Sequence, residues 1–375
     1  MNFYIITFIL LVLLNINFLL TQKTIPSKYR PLPIVSHLLG SLIIIPIVLF
    51  FLKNQLQINI PTISSESFLK NIQNLLGALV LGFILLELSH VKPTKKILKV
   101  SILSYVFPIL GAVIVCLFLD KLSNIQLTIA LMCVFAISAV PILYLYLKQF
   151  NVDNETVTVL MGAAILIDII AWLTFGFISS TFSLTALILC TLLGFIPIAI
   201  SNIIKGADQK TKRKIIGLLF FSIFLFLYLI NTYALIFAII YLISVQKINI
   251  NIENFIPSSL LHNFFNYFAI PLLFIFASFS ISLEKVLNEI NLTEFSLLFF
   301  APIIFKVFGS WLGLKSIGWE KAWFGAWLLN TRGLTEIVFL NILLSSNIIN
   351  TNQYLSLLLM SLVSTVIPGL IKNKI

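Results

Sequence analysis

The chain has 375 residues, 60% of them hydrophobic and 10% charged, with a mean hydropathy of +1.10. A soluble domain carries roughly 25% charged residues, so this composition excludes a soluble enzyme. The formal net charge of +11 raises the question of a nucleic-acid partner, but the basic residues are distributed as membrane topology demands.

A hydrocarbon core about 30 Å thick needs roughly 20 apolar residues per helix. Thirteen such runs separated by short polar joints can be marked, at approximately 3–20, 34–52, 70–88, 97–118, 125–148, 155–180, 182–204, 215–231, 232–246, 263–282, 291–313, 321–343 and 353–371. Joints after odd-numbered runs hold the basic clusters Lys23-Lys28-Arg30, Lys92-Lys95-Lys96-Lys99 and Lys205-Lys210-Lys212-Arg213-Lys214, while joints after even-numbered runs hold Lys53, Lys70, Lys121 and Lys285. The positive-inside rule then puts the odd joints and the C-terminus in the cytoplasm and the N-terminus outside. The first run has no basic residue before it and no A-x-A-like cleavage site, so it is expected to be a retained span rather than a signal peptide. The segment 205–214 is expected to be a solvated cytoplasmic loop beside anionic headgroups.

Cys116, Cys133 and Cys190 lie inside apolar runs without ligand spacing, and His37, His90 and His262 are scattered. These residues are expected to be structural, with no disulfide and no metal site. In the fifth run, FAISAVPILYLYLKQF at 135–150 carries Ser138 and Pro141. A proline lacks a backbone N–H and breaks or kinks a helix, so an interrupted helix whose freed carbonyls line a cavity is one reading and an ordinary kink the other.

The sixth run, ETVTVLMGAAILIDIIAW at 155–172, holds Asp168 in an otherwise apolar stretch. An ionised Asp at the bilayer centre costs roughly 2.5–3.5 kcal/mol on insertion scales, so such a residue faces a protein interior or an aqueous cavity. The eleventh run, FFAPIIFKVFGSWLG at 299–313, carries Lys306 well away from either end, a poor position for snorkelling. In the twelfth, GAWLLNTRGLTEIVFLNI at 325–342 places Asn330, Arg332, Gly333 and Glu336 in mid-span. Arg332 and Glu336 are four apart on one helix face and form an internal ion pair, and a second break is expected at 330–333. The two halves thus each join an interrupted helix to a helix with a buried ionisable group, in reversed order, as an inverted-topology repeat with a midplane site would produce.

These residues resemble the monovalent cation:proton antiporter superfamily, specifically its Kef-like and Nap-like branch. LLNTRGLTEIVFLNI at 328–342 is very similar to that branch's asparagine-x-arginine-glycine-x-x-glutamate helix, AISAVPILYLYLKQF at 136–150 to its Ser/Thr-Ala-x-Pro broken helix, and GAAILIDIIAW at 162–172 to its Ala-Ala-x-x-Asp-Asp-x-x-x-Trp helix. Weaker echoes are HLLGSLIIIP at 37–46, LLEL at 85–88 and FAIPLLFIFASFSISL at 268–283.

The resemblance implies an all-α membrane protein of about thirteen transmembrane helices, with inverted-topology repeats and two broken crossing helices. It implies a single transport domain over 1–375, with a core bundle of 97–181 and 290–371 and a dimerisation or scaffold part of 1–96 and 215–289. Residues 182–214 are then a linker helix and basic loop, and no soluble regulatory domain is expected. Asp168 matches the acid that binds the cation and releases protons, and Ser138 the hydroxyl at the first break. Lys306 matches the buried lysine associated with the first acid of a pair, and Arg332, Glu336 and Asn330 match site-adjacent or structural groups. Pro141 and Gly333 mark the helix breaks.

Two positions depart from the pattern: the first acid is Ile167, and the usual arginine of the broken fifth helix is Leu145. Lys306 must therefore pair with Asp168 or Glu336, or stay neutral. The implied function is exchange of a monovalent cation, sodium favoured, for protons, with potassium as the alternative ion and a non-transporting scaffold or sensor as the alternative class. The implied partners are membrane lipid and a second copy of the chain, with no nucleic acid. The implied cofactor is none beyond the transported Na+ (or K+/Li+) and H+, and the implied location is a plasma membrane of bacterial type. No nucleophile–base pair, metal-ligand cluster or phosphate-binding glycine loop points to an enzyme.

Overall fold

Inside hydrocarbon every backbone polar group must be satisfied within its own segment, which is why the apolar runs become helices. The computed structural model describes residues 3–24, 33–56, 94–178, 184–204, 208–230, 234–248, 264–269 and 291–371, with isolated positions at 75–82, 206, 250 and 271–275. The expected spans at 70–88 and 263–282, with the motifs at 85–88 and 268–283, lie largely outside the described residues. In chain order the helices are α1 (Phe3–Thr24), α2 (Pro33–Leu56), α3 (Lys95–Phe118), α4 (Ile125–Ala136), α5 (Val140–Gln149), α6 (Asn154–Ile178), α7 (Leu184–Gly194), α8 (Ile196–Ile203), α9 (Gln209–Ile230), α10 (Ala234–Lys247), α11 (Leu292–Leu314), α12 (Trp319–Leu329), α13 (Leu334–Ser345) and α14 (Thr351–Ile371). Among the described residues there is no strand, and six helical stretches are long and apolar enough to cross a membrane. The protein is an integral, multi-pass membrane protein.

The expected spans at 125–148 and 321–343 are each two helices, α4–α5 and α12–α13. The span at 182–204 is likewise divided by a turn at Phe195, with Pro197 opening α8. One expectation needs correcting. The basic run is not all loop, because α9 begins at Gln209 and carries Lys210, Lys212, Arg213 and Lys214 in its first turns.

Capping sets where the inner helices begin. Thr94 accepts from Ile97 N–H, Asn124 from Leu127 N–H, and Asn291 from Thr293 and Glu294 N–H, each satisfying amides that a helix start leaves unpaired. Asn350 and Gln353 cap α14 reciprocally, side chain to backbone at 2.8 and 3.0 Å. Asp120, Asn151 and Asn347 follow α3, α5 and α13 at φ of 53°, 52° and 56°, the left-handed conformation that Asn and Asp tolerate at helix ends.

Ion pairs collect these termini at two opposite ends. At one, Lys96 Nζ lies 2.6 Å from Glu155 Oε1, and Lys321 Nζ lies 3.1 Å from Asp153 Oδ1. At the other, Glu294 Oε1 accepts from Lys121 Nζ and, at 2.7 Å, from Gln353 Nε2. Helices α3, α4–α5, α11, α12–α13 and α14 therefore shuttle between the same two ends.

Within this bundle α3 and α11 approach most closely. A Cβ on Gly309 would stand 2.6 Å from Leu103 O, one on Gly313 2.9 Å from Val100 Cα, and one on Gly111 2.6 Å from Phe305 Cδ2. Small residues let helix backbones approach in this way, and Ser104 and Ser310 hydroxyls share a 2.6 Å hydrogen bond across the seam. Since α11 is held so near α3, Lys306, one turn before Ser310, is fully buried. Elsewhere α7, α9 and α10 pack around Phe220, Phe224, Phe237 and Tyr241. In the α1–α2 pair, His37 is buried against Phe18, ring centroids 4.9 Å apart, and Cys116, Cys133 and Cys190 are buried.

Gly309→Ala is expected to lower the unfolding midpoint of the detergent-purified protein, at a cost of about 1–3 kcal/mol for overpacking. Gly206→Ala, where nothing lies within 4 Å, should leave the midpoint unmoved. At the first polar end, the amide and hydroxyl of Thr156, helped by Lys321, hold the Asp153 carboxyl down at about 2. Its contribution to stability is full above the ordinary carboxylate range and lost as pH falls through about 4 toward 2. Asp153→Asn should therefore flatten the acid limb of midpoint against pH and leave no pH-dependent difference above neutrality.

Candidate functional site where two helix breaks meet

Helix α4 ends at Ala136 and the chain runs through Ile137, at φ −55° and ψ 147°, Ser138 and Ala139 before α5 starts at Val140. Pro141 is thus the second residue of α5, where its missing N–H leaves no bond unmade, and the break lies just ahead of it. The second interruption spans Asn330 to Gly333, between α12 and α13. The two breaks hydrogen-bond to each other: Ala139 N–H donates to Thr331 O at 2.8 Å and Ser138 Oγ to Leu329 O at 2.9 Å. Gly333 is extended, so its backbone angles do not demand glycine, but a Cβ there would stand 2.6 Å from Ile142 Cδ1 and 3.1 Å from Ala139 Cβ. Close approach is what requires a glycine.

Asp168 projects from α6 to the first break, where its Oδ1 accepts from Ser138 N–H at 3.0 Å. The break frees that amide, and the start of α5 favours an anion beside it. Ser138 is fully buried and Asp168 half-buried. Ile167, in the neighbouring position, is buried.

The last carbonyls of α4 have lost their in-helix donors, and two buried basic side chains cap them. Lys306 Nζ donates to Ala136 O, Arg332 Nη1 to Val134 O, and Arg332 Nη2 to Phe135 O at 2.7 Å. The negative end of a helix dipole attracts cations, so the ammonium of Lys306 has a partner that a search for carboxylates does not reveal. The expected ion pair on α12–α13 is present, with Arg332 Nη1 3.5 Å from Glu336 Oε1 and both side chains at 0% exposure. Among the described residues, neither the Glu336 carboxylate nor the Asn330 amide makes a hydrogen bond.

One participant escaped the sequence reading. Thr365, on α14, accepts from Arg332 N–H at 3.1 Å and donates to Arg332 O at 2.6 Å, so it holds the second break by its backbone. The available signal was the run of hydroxyls Ser361, Ser364 and Thr365 in an apolar helix, all of them buried. Tyr146, on α5, donates to Thr365 O at 2.9 Å. Among the described residues, no three His, Cys, Asp or Glu side chains come together as metal ligands.

The class this defines is a multi-pass helical membrane protein whose charged groups gather inside, at two apposed helix interruptions. Residues 86–372 match the family described as sodium/hydrogen exchanger, transmembrane. The chain belongs to that family, whose members are transporters and not enzymes. A stretch of 115 residues is 29% identical to the Na(+)/H(+) antiporter NhaS4 of Synechocystis sp., covering 30% of this chain and 28% of that protein. The match therefore spans less than a third of that relative's length.

Arg332→Ala would leave Glu336 buried without its counter-charge and two carbonyls without donors, a loss of about 3–5 kcal/mol. Adding Glu336→Ala should recover part of that loss. A double-mutant cycle on unfolding midpoints measures the coupling, and strict additivity would show that the pair does not interact.

Proposed function

We propose that the protein exchanges a monovalent cation, sodium favoured, for protons across its membrane. The carrying observation is the Asp168 carboxylate held by the Ser138 amide at the meeting point of the two breaks, on a chain of the sodium/hydrogen exchanger family. Lys306 and Arg332 are committed to backbone carbonyls, and Arg332 also to Glu336, which makes Asp168 the group free to change partners. A proton and a dehydrated cation compete for this one carboxylate. Loaded with either, the site crosses; empty, its bare charge opposes the movement. Coupling follows without a separate gate, by alternating access of α3–α6 and α11–α14 against the remaining helices.

The reversed placement of Asp168 and Lys306 about their interrupted helices supports an inverted repeat within a thirteen-helix fold. The gathering of Lys95, Lys96, Lys99, Lys315 and Lys321 toward the end that bears Asp153 supports a cytoplasmic assignment for that end, with the N-terminus outside and the C-terminus inside. A homodimer in a bacterial-type plasma membrane completes the proposal, with Na+ or K+ and H+ as cargo and no cofactor.

One observation favours a second reading. Ile167 puts buried hydrocarbon where the resemblance expects an acid, which suits a scaffold or sensor that has lost transport.

Proteoliposomes with an internal pH-sensitive dye separate these readings. Additions of sodium, potassium and lithium should each be compared with choline, and Asp168→Asn run alongside. Cation-evoked proton movement that the variant loses is the expected result and names the ion. Exchange that survives in Asp168→Asn rejects the shared carboxylate, and silence from folded wild-type protein with every ion selects the scaffold reading.

A further inference from the structure

One residue of α14, Thr365, hydrogen-bonds to both interrupted helices. The Thr365 hydroxyl holds the amide and the carbonyl of Arg332, and the Thr365 carbonyl receives Tyr146 Oη from α5. From Arg332 the connection continues through its guanidinium to the carbonyls of Val134 and Phe135. A few residues on, the same segment presents Ser138 N–H to Asp168. Every polar link in that series is a hydrogen bond between buried or half-buried groups, where an unmade bond is costly.

We infer that Thr365 is a positioning residue for the exchange site: it fixes the backbone of the second break so that the Arg332 guanidinium caps α4 and the first break presents its amide to Asp168. The inference rests on the exchange reading above.

The hydroxyl has one hydrogen, and two carbonyls compete for it, Arg332 O at 2.6 Å and Ser361 O, within its own helix, at 2.7 Å. Threonine can thus retain a donor bond while the break shifts, which valine, of the same shape, cannot do. Thr365→Val leaves Arg332 N–H and C=O without partners beside an unchanged packing volume. Thr365→Ser restores both bonds.

The test uses the full chain in proteoliposomes and follows exchange against cation concentration for wild type, Thr365→Val, Thr365→Ser and Tyr146→Phe. Thr365→Val should raise the half-saturating cation concentration about three- to tenfold, the size expected from one or two broken buried hydrogen bonds, with a smaller change in maximal rate. Thr365→Ser should return to wild type, and Tyr146→Phe should fall between. An unchanged half-saturating concentration in Thr365→Val, or a serine variant as impaired as valine, overturns the inference. Deuterium uptake by the peptide spanning Arg332 gives a readout that needs no transport. Uptake should quicken in Thr365→Val and not in Thr365→Ser, and equal protection in all variants also overturns it. Wild type that moves no protons rejects the exchange reading instead, and the deuterium arm still decides the role of Thr365.

Discussion

Two cations hold the cut end of a helix, and the rest of the site is arranged around that contact. Interrupting α4 after Ala136 strips the carbonyls of Val134, Phe135 and Ala136 of their in-helix donors. Lys306 and Arg332 supply the missing donors from two other helices. Each element benefits, because the carbonyls are satisfied and the buried charges gain partners and a favourable dipole. Because Lys306 comes from α11 and Arg332 from the second break, the contact also fixes both relative to α4, and the first break stays open for Asp168.

This arrangement bears on the loss of the first acid. The resemblance expects an acid at position 167, where this chain has the buried Ile167. With isoleucine there, Lys306 Nζ donates to the backbone carbonyl of Ala136. The closeness of α3 and α11, which the three glycines permit, keeps Lys306 within reach of that carbonyl. Backbone packing at one seam and charge placement at another are parts of a single construction.

Much of this was legible in the sequence where a residue type has few physical options. Asp168, Lys306, Arg332 and Glu336 inside apolar runs had to be internal, and Arg332 does pair with Glu336 four residues later, although Arg332 lies in the break ahead of α13 and not on a shared helix face. Gly333 and Pro141 marked the breaks to within a few residues, although Pro141 sits inside α5 because a proline is well accommodated in the first turn of a helix. The backbone partners were not legible. Any residue offers a carbonyl, so nothing in the letters V, F and A at 134–136 announces that they receive cations. Thr365 was hidden for a related reason, since a hydroxyl in an apolar helix usually bonds its own preceding turn, and only the fold brings Arg332 beside it.

The ion pairs at the end that bears Asp153 differ from the Arg332–Glu336 pair in their exposure. Lys96, Glu155 and Lys321 keep more than half of their side-chain surface open and Asp153 nearly half, whereas Arg332 and Glu336 keep none. Dissolved salt screens exposed charges and barely reaches buried ones. The ions that surround the protein therefore slacken the ties at its exposed end as their concentration rises and leave the grip on α4 untouched. Ionic strength acts on the exposed periphery of the bundle, and the buried Arg332–Glu336 pair is shielded from it.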